Sequence, residues 1–135
     1  MNMKIDMTQL REALEASWDE KTSYQGVVEK NNFALGQCYP TSRVIQFFFP
    51  ETEIVEGEVW IDKSIEKHFW NLLKSNGVEY HIDFTWKQFP KGSVVKSCKV
   101  RSRETLGDSQ KTIARVNLLH DRVKEYLSCK FQRLA

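Results

Sequence analysis

The stretch His68-Phe69-Trp70-Asn71-Leu72-Leu73-Lys74-Ser75-Asn76-Gly77-Val78-Glu79-Tyr80-His81-Ile82-Asp83-Phe84-Thr85 decides how this chain folds. Asn76-Gly77 is the strongest short signal for a tight β-hairpin, because both central residues of such a turn take positive φ. The spacing predicts strands over 68–73 and 78–84. Val78, Tyr80, Ile82 and Phe84 fall on one face of the second strand, and Glu79, His81 and Asp83 on the other. Two turn lengths remain open. A four-residue loop over 74–77 pairs Leu73 with Val78 and sets His68 opposite Asp83, whereas a two-residue loop pairs Ser75 with Val78 and makes Asp83 a diagonal neighbour of His68. Both place imidazole and carboxylate on one face within side-chain reach. A three-residue loop separates them onto opposite faces.

Working outward, residues 54–61 read as a strand that partly alternates, with Glu56 and Glu58 opposite Val55, Val59 and Ile61. Residues 94–100 read as an edge strand blunted by its lysines. Pro40 suits the first turn of a helix, where its missing N–H costs nothing. Val44, Ile45, Phe47 and Phe48 leave that helix little polar surface, which predicts a buried central helix ending at Phe49, before Pro50. Thr8 is the expected cap of a first helix carrying Leu10, Leu14 and Ser17 on one face. Residues 18–36 are polar and breaker-rich and read as a long loop, a length that is usually functional. Residues 85–89 read as a short turn. Ile113, Val116, His120, Val123 and Leu127 recur at helical spacing and predict a C-terminal helix over 109–131.

A chain of 135 residues fits one domain, 1–135, large enough to bury a core without disulfides. Its sixteen aromatic residues set it apart from disordered sequences. No apolar run reaches membrane-spanning length and the first residues lack a signal-peptide core, so no membrane partner is expected. Three cysteines with no Cys-x-x-Cys pair argue against a disulfide framework or a thiol zinc site and suit a reducing cytoplasm. Charge is uneven: residues 1–85 hold 8 Lys/Arg against 14 Asp/Glu, and residues 86–135 hold 12 against 4. The basic part is densest at Lys91, Lys96, Lys99, Arg101 and Arg103. That stripe lacks interleaved aromatics for base stacking, so it reads as a solvated face balancing the acidic half rather than a nucleic-acid site.

Cys38, His68 and Asp83 bring thiol, imidazole and carboxylate in the order of a cysteine-nucleophile triad. Cys38 falls at the positive end of the expected helix, where free N–H groups favour thiolate and could hold an oxyanion. His68 would move the proton and Asp83 would orient it. Gln37 has an amide that could assist the oxyanion, and Trp18 and Trp70 could wall the site. Each residue also has a plain structural reading: Cys38 as a small core residue, His68 as a satisfied core histidine, Asp83 as the cap of a turn at Thr85. His81, two residues from Asp83 on the same strand, is the rival base, and His120 on the helical stripe reads as structural. The residues lack short metal-ligand spacing, so neither a metal nor another cofactor is expected.

Ser17-Trp18, Thr22-Ser23-Tyr24, Gly36-Gln37-Cys38 with Thr41, His68-Phe69-Trp70-Asn71, and Asp83, Thr85 and Gln88-Phe89 together resemble the YunG-like family of small bacterial proteins, over roughly residues 10–90. That family implies no established reaction. More broadly, a Cys opening a central helix, a His-x-Trp-Asn strand and an Asp on the next strand resemble the transglutaminase-like and papain-like thiol fold. This second resemblance implies Cys38 as nucleophile, His68 as base, Asp83 as orienting group, and acyl transfer as the chemistry. The chain departs from it in its short length and in Tyr39-Pro40 after the Cys.

The expected architecture is α+β: a central helix carrying Cys38 packed on a small antiparallel sheet, with a papain-like or transglutaminase-like core and a C-terminal helix. The expected function is thiol-dependent acyl hydrolysis or transfer on a peptide, amide or isopeptide bond of a small-molecule or peptide substrate. The alternatives are a non-catalytic ligand- or protein-binding module on the same fold, or an anion binder using the basic face.

Overall fold

The computed structural model describes residues 5–27, 29–102 and 107–131, with the backbone alone at 131. Arg103 of the basic stripe lies outside the described residues. Three helices and one four-stranded antiparallel sheet make an α+β fold. In chain order the elements are α1 (Met7–Ser17), α2 (Cys38–Phe48), β1 (Glu53–Ile61), β2 (Ser64–Ser75), β3 (Val78–Ile82), a short 3-10 turn (Trp86–Gln88), β4 (Val94–Arg101) and α3 (Gln110–Phe131). The sheet order is β3-β2-β1-β4, so β4 returns to pair with β1 at the far edge.

The hairpin takes the two-residue turn. Ser75 pairs with Val78, and Asn76 and Gly77 have φ of 52° and 78°. Those left-handed values match the twist of the flanking strands. β3 is shorter than its alternation predicts: pairing stops at Asn71 with Ile82, and the chain turns away at Asp83. His68 therefore lies three residues past the last β2–β3 pair, where that edge of β2 has no strand beside it among the described residues. On its other edge β2 pairs with β1 from Ser64 to Leu72, and His68 faces Gly57 in that register.

The β2 face bearing Phe69 and Asn71 meets α2. Asn71 Nδ2 donates to the Ser42 carbonyl at 3.0 Å, and the Phe69 and Tyr39 rings meet edge-on at 4.7 Å between centroids. The opposite face carries His68, Trp70 and Leu72, and there Val55, Trp70 and Leu72 form a small apolar cluster. The main core lies between the helices: Leu10 and Leu14 of α1, Val44 and Ile45 of α2, and Leu119, Val123 and Leu127 of α3, closed by Trp18 and Ala34. Ion pairs Arg122–Asp19 (2.8 Å) and Lys130–Glu12 (2.8 Å) lie along the rim of the α3 packing.

Several boundaries differ from the sequence reading for local reasons. Asp6, not Thr8, caps α1: its carboxylate accepts from the Gln9 N–H while the Gln9 side chain accepts from the Asp6 N–H. This reciprocal pair satisfies two N–H groups that would otherwise be orphaned. α2 starts at Cys38, two residues before Pro40, and Phe47 is 62 % exposed, so the helix has one open side. β2 runs longer than 68–73, and residues 85–89 contain the 3-10 turn. No helix among the described residues is long and apolar enough to cross a membrane.

Candidate active site

Local chemistry in residues 18–37 delivers Cys38. Asp19 Oδ1 accepts from the N–H groups of Lys21 and Thr22, folding the chain directly after Trp18. Thr22 then donates its hydroxyl to Gln37 Oε1 at 2.8 Å, and Gln37 Nε2 donates to the Asp19 carbonyl at 2.9 Å. Tyr24 N–H donates to the Gly36 carbonyl at 2.7 Å. Gly36 has φ +75°, and any Cβ there would collide with Ser23 Oγ. Only glycine takes that conformation in that space, and the chain then enters α2 at Cys38. Neither Cys38 N–H nor Tyr39 N–H meets a hydrogen-bond acceptor among the described residues. That is the normal condition of a helix's first turn, and it leaves donors and the positive end of the helix dipole beside the thiol.

His68 is fully buried. Its Nε2 lies 2.7 Å from Asp83 Oδ2. The other carboxylate oxygen, Oδ1, accepts from the Thr85 N–H at 3.2 Å and from the Thr85 hydroxyl at 3.3 Å. Asp83 thus both caps the turn at Thr85 and holds the imidazole. Three rings box His68: Trp70 at 5.5 Å, Trp86 at 5.9 Å and Phe89 at 4.8 Å, the last nearly perpendicular. Burial in this box works against the imidazolium, but the Asp83 hydrogen bond and then the Cys38 thiol outweigh it and raise the His68 pKa to about 9. His68 Nδ1 is buried with no hydrogen bond to another group. Cys38 thus favours the charged ring without a formed hydrogen bond to it. A buried polar atom left unpaired costs about 1–3 kcal/mol in stability.

Trp70 is positioned by two contacts. Its Nε1 donates to His81 Nδ1 at 2.9 Å, which satisfies the indole and engages the rival histidine. Its ring lies over Gly57, where a Cβ would overlap the indole. Cys38 opens onto a cavity of about 520 Å³ whose wall includes Tyr24, Gly36, Tyr39, Phe69 and Gln88. Tyr39 donates its hydroxyl to Asp108, which also pairs with Arg43 at 2.9 Å, so the segment before α3 is tied to the rim.

The structure thus brings Cys38, His68 and Asp83 together and sets Trp70 against the imidazole. It does not bring Gln37 or Trp18 to the cavity. The Gln37 amide is engaged within the loop, and Trp18 packs in the helical core with its Nε1 donating to Thr41 Oγ1 at 2.9 Å. His120 meets Phe47 edge-on, with ring centroids 3.9 Å apart, on the α2–α3 seam. No cluster of metal-ligating side chains is present among the described residues. Of the stripe cations, Lys99 and Arg101 both pair with Glu56. Sequence reasoning assigns no role to Trp86, Gln88 or Phe89. Their signal is two bulky rings and an amide within a four-residue turn.

The family model described as YunG protein matches residues 6–128. The chain belongs to the YunG family. The match reaches past the hairpin into β4 and most of α3, further than the roughly 10–90 covered by the short motifs. No curated protein and no solved structure matches the chain.

Proposed function

We propose that Cys38, His68 and Asp83 form the triad of a cytoplasmic thiol-dependent acyl hydrolase or transferase acting on a peptide, amide or isopeptide bond. One observation carries this reading: a fully buried histidine bonded to Asp83 through Nε2, with Nδ1 unpaired and its protonated form favoured by the Cys38 thiol. Most buried side-chain nitrogens have a partner; His120 Nε2 is another that lacks one, but only His68 couples its open nitrogen to a carboxylate on the other side of the ring and a thiol nearby. The transglutaminase-like resemblance of the same three residues points the same way.

In this reading His68 takes the Cys38 proton, and the thiolate bonds to the substrate carbonyl carbon as the carbonyl electron pair moves to oxygen. The first-turn N–H groups of α2 face the developing charge. Collapse reforms the carbonyl and breaks the C–N bond, and His68 gives its proton to the departing amine. Water or a second amine, deprotonated by His68, then attacks the thioester and releases Cys38. The choice of acceptor decides between hydrolysis and transfer.

A second reading is favoured by the cavity itself: the aromatic wall of Tyr24, Tyr39 and Phe69 suits a binding module without catalysis. Iodoacetamide alkylation followed by peptide mass spectrometry separates the two, with exposed Cys98 and Cys129 as references in the same molecule. At pH 7 Cys38 should alkylate about tenfold faster than either reference and lose that advantage in His68→Ala. Equal rates, unmoved by His68→Ala, would end the catalytic reading and leave the binding module.

A further inference from the structure

Gln88 is 9 % exposed, and its two amide atoms are used unequally. Oε1 accepts the Gly36 N–H at 3.3 Å, which fixes which end of the amide is oxygen, because a backbone N–H can only be met by an acceptor. The Gln88 carbonyl accepts from Asn32 Nδ2 at 2.8 Å, so the residue is held at a second point by the same loop. Nε2 is buried and donates to nothing. Gln88 nevertheless forms part of the wall of the cavity onto which Cys38 opens, and its anchor Gly36 is two residues from the thiol.

Buried amide donors without an acceptor are rare, and one on a residue that lines the cavity of Cys38 asks for an oxygen supplied by what that cavity holds. We infer that Gln88 Nε2 is the side-chain donor of an oxyanion site, completed by the Cys38 N–H at the start of α2. This rests on Cys38 being the nucleophile. As the sulfur bonds to the acyl carbon and the carbonyl pair moves to oxygen, Nε2–H donates a hydrogen bond to that oxygen. No proton leaves Gln88, and the bond weakens again when the carbonyl reforms. Gln37, which precedes the thiol in sequence, is excluded from this task by its bonds to Thr22 and Asp19.

The test compares two reactions of one thiolate. Acylation of Cys38 by p-nitrophenyl acetate passes through an oxyanion, and alkylation by iodoacetamide does not. Two variants serve: Gln88→Glu, which keeps an acceptor for the Gly36 N–H, and Gln88→Met, which keeps the volume. In both, the ratio of acylation rate to alkylation rate should fall about 10²–10³-fold. Taking the ratio cancels any change in thiolate population or access. An unchanged ratio in both variants, with wild-type Cys38 acylated normally, overturns the role of Gln88 and leaves the nucleophile standing. Failure of wild-type Cys38 to acylate at all overturns the nucleophile, and the inference with it.

Discussion

His68 Nε2 and Asp83 Oδ2 are 2.7 Å apart although Asp83 lies beyond the last paired residue of β3. The bond therefore closes across a gap in the sheet rather than along a ladder. The chain turns away at Asp83, and the Thr85 N–H and hydroxyl fix the second carboxylate oxygen so that the first meets the imidazole.

This arrangement sets a pH dependence. Burial opposes the His68 charge, Asp83 and Cys38 favour it, and the folded pKa of about 9 stands above the ordinary 6.5. A raised folded pKa contributes stability that is fully present below 6.5 and is lost as pH rises through about 9. Urea midpoints should fall across that window. In Asp83→Asn the fall should flatten, and the His68 ring resonances should titrate at or below 6.5, since burial then acts with only the thiol against it. A His68 titration still near 9 in Asp83→Asn would contradict the assignment of Asp83 as its main charge partner.

Gly57 faces His68 in the β1–β2 register, and the Trp70 indole fills the space a Cβ would need there. Gly57→Ala should push the indole off its site, costing about 1–3 kcal/mol by overpacking. Because Trp70 packs on His68, the His68 titration should shift along with the urea midpoint. Loss of stability with an unchanged His68 titration would mean that Trp70 only fills the core.

At Gly36 both the left-handed φ and the Ser23 hydroxyl exclude a side chain. Gly36→Ala should cost about 1–3 kcal/mol and slow Cys38 alkylation, since this turn leads directly into the thiol. Ser23→Ala removes the steric contact but not the backbone strain. The double variant should therefore lose less than the sum of the singles, by about 0.5 kcal/mol or more. Strict additivity in denaturant titrations would show that the Ser23 contact is not the obstacle.

Local rules make much of this fold legible in the sequence. Asn76-Gly77 specifies a hairpin because few sequences tolerate two positive φ angles in a row, and either favoured loop length puts His68 and Asp83 on one face. Pro40 marks the beginning of α2, although the helix opens two residues earlier at Cys38. The lysine-bearing segment over 94–100 is readable as an edge strand and lies at the edge as β4. The first cap escapes the sequence rule because Asp6 and Gln9 satisfy one another, a reciprocal bond that outweighs the preference of a lone Thr8. Phe47 defeats the expectation of burial because its apolarity says nothing about which helix would cover it.

What the chain settles by itself is whatever depends on φ preferences and the alternation of a strand: the hairpin, the shared face of His68 and Asp83, and a thiol at a helix start. Tertiary structure alone decided which amide stands in the cavity. Gln37 is adjacent to Cys38 in sequence but turns into the loop toward Thr22 and Asp19. Gln88 reaches Gly36 across 52 residues and Asn32 across 56. Those partners depend on how the loop, the 3-10 turn and the free edge of β2 pack together, and no local preference of either glutamine encodes that packing. The same holds for the ring box of Trp70, Trp86 and Phe89, which buries His68 only once β3 has left the sheet.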